Sequence, residues 1–88
     1  MKSIIQQRKE CYICGTTYNL HDHHCIYGTS NRKNSEKYGL KVWLCEYHHM
    51  LVHSDAQVSL EIKQVAQRKF EETHSRDEFI KVFGKSFL

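Results

Sequence analysis

The sequence predicts a small α+β domain. A strand, a short helix and a second strand come first, a helical C-terminal third follows, and metal-binding side chains clamp them together. Three observations carry this expectation. Cys11-x-x-Cys14 is answered downstream by Cys45-x-x-His48, two pairs with the spacing of a tetrahedral site. Residues 40–45, LKVWLC, mix β-branched and aromatic side chains in the manner of a strand. From Asp55 to Thr73 apolar residues recur at Val58, Ile62, Val65, Ala66 and Phe70, a helical stripe among Lys, Gln, Arg and Glu.

Residues 1–10 are polar and basic after Ile4 and Ile5 and read as an ordered lead-in. In CYICG two cysteines bracket two residues, and Gly15 can take the positive φ of a tight turn. Residues 19–27 suit an extended segment that enters a His-rich run. In GTSNRKNSEKYG, Ser30 or Asn31 can cap a short helix and Gly39 can stop it. Past Cys45 the pattern turns helical, with His49 and His53 one turn apart on a face. Ser75-Arg76-Asp77-Glu78 has the form of a capping box ahead of Phe79, Ile80 and Phe83, and Gly84 is a natural stop. The expected division is one domain over residues 1–88, with the metal-binding part at 11–53 and a helical packing segment at 54–88.

At 88 residues the chain has room for one compact core. Its composition, 40% hydrophobic and 26% charged, excludes a disordered chain. No apolar run is long enough for a transmembrane helix and the N-terminus lacks the apolar stretch of a signal peptide, so a soluble, cytoplasmic protein without a membrane partner is expected. The net charge of +3 is too modest to establish nucleic-acid binding by itself. Seven His and four Cys are the anomaly. Without a secretory signal, and with His interleaved among the Cys, metal binding is a better reading than disulfides.

Cys11, Cys14, Cys45 and His48 would close a structural Zn²⁺ site. Two thiolates on a tight turn each meet the ion at about 2.3 Å. A redox C-x-x-C expects a thioredoxin-like βαβ context, which is missing. The second constellation is His23, His24, His49 and His53. Adjacent His48 and His49 point about 100° apart on a helix, which separates two centres. His23 and His24 lie on an extended segment where neighbours face opposite ways, so one can ligate while the other meets substrate or water. Three ligands leave coordination positions open, as catalysis requires.

The pieces CYICG, LHDHHCIYG and KVWLCEYHHMLVH resemble the HNH endonuclease family, the ββα-metal nucleases, over about residues 11–53. The whole chain is similar to small phage or prophage proteins of that kind. The resemblance implies a β-hairpin and helix clasped around one divalent ion, with a zinc knuckle at Cys11, Cys14, Cys45 and His48. It implies His23, His49 and His53 as ligands of the catalytic ion and His24 as general base. It further implies hydrolysis of DNA phosphodiesters to 5′-phosphate and 3′-hydroxyl ends. One departure stands out. Leu40 occupies the place where the family usually has an Asn that steadies the loop carrying the base, and Asn31 or Asn34 would have to substitute.

Three neutral imidazoles favour Zn²⁺, Ni²⁺ or Mn²⁺ by ligand type, while the family often runs on Mg²⁺ or Mn²⁺. Arg32, Lys33, Lys37 and Lys41 are the expected phosphate contacts, giving salt-sensitive, largely sequence-independent DNA binding that a phage or recombination partner protein would direct. His21 is expected to be exposed, Cys25 to be core filler, and Asp22 to accept from an imidazole N–H or to be solvated. Tyr27 and Trp43 are expected in the core or at its rim. The other reading is a non-catalytic, zinc-stabilised DNA-binding or recombination-accessory module, supported by Leu40. A weaker third reading is a redox or metal-storage protein.

Overall fold

The computed structural model describes residues 2–88. The elements run β1 (Leu20–His24), α1 (Thr29–Tyr38), β2 (Lys41–Cys45), α2 (Glu46–Ser54), α3 (Ala56–Phe70) and α4 (Arg76–Phe83). β1 and β2 pair antiparallel, with Leu20 opposite Cys45, His23 opposite Val42 and His24 opposite Lys41. The strand pair and α2 make a small ββα-like arrangement. α1 is inserted between the strands, and α3 and α4 follow.

β2 is the buried centre. Val42 and Leu44 point inward, as strand alternation requires. The outward backbone groups of Trp43 are satisfied from two sides: its N–H donates to Gln6 Oε1 at 2.8 Å, and its carbonyl accepts from Tyr12 N–H at 2.8 Å. The lead-in is thereby laid beside the sheet, which blunts an open edge. Ile4 N–H also donates to the Gly39 carbonyl at 2.9 Å. Gly39 closes α1 at φ 70°, and a Cβ there would lie 2.5 Å from the Lys2 carbonyl oxygen, so both the turn and the close approach require glycine.

The start of α1 differs from expectation. Gly28 is the N-cap, at φ 111°, and neither Ser30 nor Asn31 caps the helix. Asn31 and Asn34 instead donate to the carbonyls of Phe83 and Val82, tying α1 to α4. They are therefore spent on packing and do not steady the loop after β1. Ser35 does that. Fully buried, it donates to the Ile26 carbonyl at 2.6 Å and accepts from Ile26 N–H at 3.2 Å. Leu40, fully buried, accepts at its carbonyl from Cys25 N–H at 2.9 Å.

α2 starts directly on Cys45, the last residue of β2. Asp55 ends α2 and begins α3, where its Oδ1 accepts from the N–H groups of Gln57 and Val58. The α3 stripe buries Ile62, Ala66 and Phe70, with Val58 half-buried. The capping box at Ser75 and Glu78 forms on α4, which buries Phe79 and Phe83. Ile80, expected beside them, is 39% exposed, because the apolar stripe of this short helix passes through positions 79 and 83. His74 stacks on Phe70 at 4.3 Å and meets Tyr38 edge-on. Cys25 is fully buried core, and burial pushes its thiol up to about 12. No described helix is long and apolar enough to cross a membrane.

Candidate metal centres

Three sets of donor atoms converge among the described residues; α2 contributes to the first two, and the third, Asp22, His24 and Glu36, lies between β1 and α1. In the first, ligand atoms of Cys11, Cys14, Cys45 and His48 all lie within 4.8 Å of one another. The Cys11 turn is closed by Gly15 N–H to the Cys11 carbonyl and by Cys11 N–H to the Thr16 carbonyl, both 2.8 Å, with Gly15 at φ 79°. Tyr12 N–H to the Trp43 carbonyl fixes this turn on β2, and the strand-to-helix junction then presents Cys45 and His48 to it. His48 Nδ1 is 3.2 Å from Cys45 Sγ and 3.6 Å from Cys11 Sγ. Burial pushes the Cys11 thiol up, but backbone hydrogen bonds from Cys14, Cys45 and Ile13 outweigh it and bring it down to about 6. A thiolate is therefore accessible at neutral pH, the form a zinc ligand needs. Cys14 accepts a backbone hydrogen bond from Thr16, yet burial and the facing Cys11 and Cys45 sulfurs hold its thiol above the ordinary value. That crowding of thiol groups is relieved when a cation sits among them.

In the second set, ligand atoms of His23, His49 and His53 also fall within 4.8 Å. β1 supplies the first and one face of α2 the other two. The three ring centroids are 5.0 to 5.4 Å apart and meet edge-on. His23 is 2% exposed, and its Nε2 is the buried side-chain nitrogen or oxygen without a hydrogen-bond partner among the described residues. Such an orphan costs stability unless something fills it. Desolvation, reinforced by His49 and His53, lowers the His23 pKa to about 3, so the ring is neutral and its lone pair available. His49 is shifted the same way by burial and by His53 and His21. Three converging imidazoles, one of them with its buried nitrogen unpartnered, fit a divalent cation.

Strand alternation separates the neighbours. His21 and His23 face α2; His21 is exposed and stacks on His49 at 5.0 Å. Asp22 and His24 meet Glu36 of α1 and Lys41 of β2. His24 Nε2 is 2.9 Å from Glu36 Oε1. Lys41 Nζ donates to both Glu36 oxygens, at 3.0 and 3.1 Å, and lies 3.5 Å from Asp22 Oδ2. Lys41, expected among the phosphate contacts, thus commits its charge to these two carboxylates. Asp22, expected to accept from an imidazole or be solvated, is exposed and forms an ion pair with Lys41.

His24 and Arg32 line one cavity of about 290 Å³ together with the three imidazoles and Tyr27. Lys33 joins Arg32, His24 and Glu36 around an adjoining depression. Lys37 lies exposed further along α1, its ammonium 5.5 Å from the Tyr38 ring. Tyr27 is half-buried at the rim, and its hydroxyl hydrogen-bonds Ser59 at 2.8 Å.

Glu36 and Ser35 are the site residues that sequence reading passed over. Both sit in a polar helix, and only the pairing of His24 with Lys41 reveals that Glu36 lies beside the imidazole. Comparison of the chain with protein-family models, curated proteins and solved structures finds no match. The geometry by itself defines a ββα-like protein with two Cys/His clusters able to hold metal ions.

Proposed function

We propose that this protein is a metal-dependent DNA endonuclease that hydrolyses phosphodiester bonds, with residues 11–53 as its core and residues 54–88 as packing within one domain. The carrying observation is the orphaned, buried Nε2 of His23 amid three converging imidazoles, with a fourth imidazole, His24, on the wall of the same cavity. Cys11, Cys14, Cys45 and His48 would hold a structural Zn²⁺. His23, His49 and His53 would hold a second divalent ion: Mg²⁺, Mn²⁺, Ni²⁺ or Zn²⁺. When bound, that ion supplies Lewis-acid stabilisation of the negative charge that grows on the phosphoryl and leaving oxygens.

His24 is the general base. Glu36 is an acceptor, so the His24 Nε2 bears the proton and its Nδ1 lone pair is left to take a proton from the attacking water. The Glu36 carboxylate then faces the imidazolium as it forms, and Lys41 holds that carboxylate in place. Arg32 and Lys33 bind the strand's phosphates around the cavity, and Lys37 adds charge further along α1. The alternative, a non-catalytic zinc-stabilised DNA-binding or recombination-accessory module, draws on Leu40, an apolar residue where the family resemblance expects a steadying Asn. Ser35 weakens it, because this hydroxyl already ties down the loop after β1.

Plasmid nicking by zinc-loaded protein with each of Mg²⁺, Mn²⁺, Ni²⁺ and Zn²⁺ tests the reading. His24→Ala is expected to lose about 10²–10⁴-fold in rate with unchanged fold and metal content. Glu36→Gln is expected to lose about 10–100-fold. A parent protein that nicks with none of the four ions supports the accessory module.

A further inference from the structure

A second cavity, of about 540 Å³, lies against the imidazole triad. Tyr27 and His53 line both spaces, so the two share a wall. Beyond that wall Phe87, Lys63 and Lys85 line the space together with the apolar side chains of Val52, Ala56 and Leu60. Lys63 Nζ rests 4.5 Å from the centroid of Tyr27 and 5.3 Å from that of Phe87, and Lys85 Nζ lies 5.4 Å from Phe87. Neither ammonium makes an ion pair among the described residues. The carboxylate on the rim, Asp55, has its Oδ1 occupied by two backbone N–H groups of α3.

The cavity is a held shape rather than a gap beside a loose tail. Gln67, fully buried on α3, accepts from Phe87 N–H at 2.7 Å and donates to Ser86 at 2.9 Å. Gln64 donates to the Phe87 carbonyl at 2.9 Å. The Tyr27–Ser59 hydrogen bond fixes the opposite ring. Lys63 lies over both rings, so a base reaches them when its own phosphate draws that ammonium aside, and the volume suits one nucleotide.

We propose that this cavity is a subsite for the nucleotide flanking the cleaved phosphodiester, taken as a single DNA strand, with its base against Tyr27 and Phe87 and its phosphate against Lys63 and Lys85. The proposal rests on the nucleic-acid part of the function above but not on cleavage. Lys63 and Lys85 come from the helical C-terminal third, so that segment contributes substrate contacts as well as packing.

The test measures binding of a short fluorescein-labelled oligothymidine to zinc-loaded His24→Ala protein by anisotropy across a salt series. Adding K63Q and K85Q should weaken binding about tenfold at low salt and reduce the log–log salt slope by about 0.7, the value for one neutralised phosphate on a single strand. Removing the same charge elsewhere, with R68Q and K81Q, should leave the slope nearly unchanged. Equal losses from both pairs of substitutions, or no loss from K63Q and K85Q, would overturn the subsite. Photocrosslinking of an iododeoxyuridine strand to the His24→Ala protein, mapped by mass spectrometry, is the measurement that holds even if the substituted proteins misfold. Adducts at Tyr27 or Phe87 support the subsite; adducts only elsewhere, or no binding of the strand at all, refute it. Retained binding with no nicking by the parent would overturn the endonuclease reading and leave the subsite standing.

Discussion

The two donor clusters sit at successive residues of α2, yet they are built on opposite principles. The Cys11 cluster is assembled from a backbone turn, a strand end and the first turn of a helix. It has three sulfurs and one imidazole, enough to surround a tetrahedral ion completely. The His23 cluster has three imidazoles, opens on a cavity and leaves one buried nitrogen unmatched. The first ties the N-terminal turn to the junction of β2 and α2; the second is set between β1 and one face of α2. The difference teaches that donor type and donor support separate a closed site from an open one.

Breaking each cluster in turn sharpens that contrast. Cys45→Ser, or a strong chelator, should unfold the protein, seen as loss of far-UV circular dichroism. Apparent zinc binding of about 10–16 kcal/mol in comparable small sites exceeds the stability of a domain this size. His49→Ala should leave the spectrum intact while metal analysis shows one ion lost per chain. If both changes unfold the protein, or neither does, the assigned division between clamp and open centre is wrong.

A smaller effect is expected at the loop between the two sites. Ser35→Ala strips both hydrogen bonds from the buried Ile26 backbone and should cost about 1–3 kcal/mol in urea unfolding. It should also slow nicking more than its stability loss explains, because the loop that follows His24 is no longer held. Full activity in a destabilised protein would make Ser35 a packing residue alone.

The smallest effect concerns a cysteine outside both clusters. Cys25 is fully buried and its thiol stays protonated at neutral pH, so iodoacetamide at mildly alkaline pH should leave it unmodified in the native protein and label it after denaturation. The sign of its pH linkage is fixed. Above the ordinary value of 9.0 the unfolded chain releases a proton that the folded chain retains up to about 12, so stability falls as pH rises through that window.

What the sequence made legible was local. Cys-x-x-Cys and Cys-x-x-His spacings, the Ser75 capping box and the Val58-to-Phe70 stripe each depend on residues within a turn or two, and each reappears in the fold. What escaped was set by register. Glu36 meets His24 only because His24 pairs with Lys41, and Ser35 reaches Ile26 because the chain turns at Gly28 into α1. The N-cap of α1 escaped for another reason: Gly28 begins the helix by backbone geometry, with no side-chain signal to read. The cavity formed by Tyr27, Lys63 and Phe87 joins three segments that no spacing rule connects.

His48 and His49 are consecutive on a helix that springs directly from Cys45. An ion gripping His48 therefore sets the rotational phase of the whole helix, and with it the bearing of His49 and His53. Filling either centre preorders the other, and by linkage the benefit runs equally in both directions. Titrated with metal, the protein should fill its Cys/His clamp first, and the ion held there should tighten the grip of His23, His49 and His53 on the next.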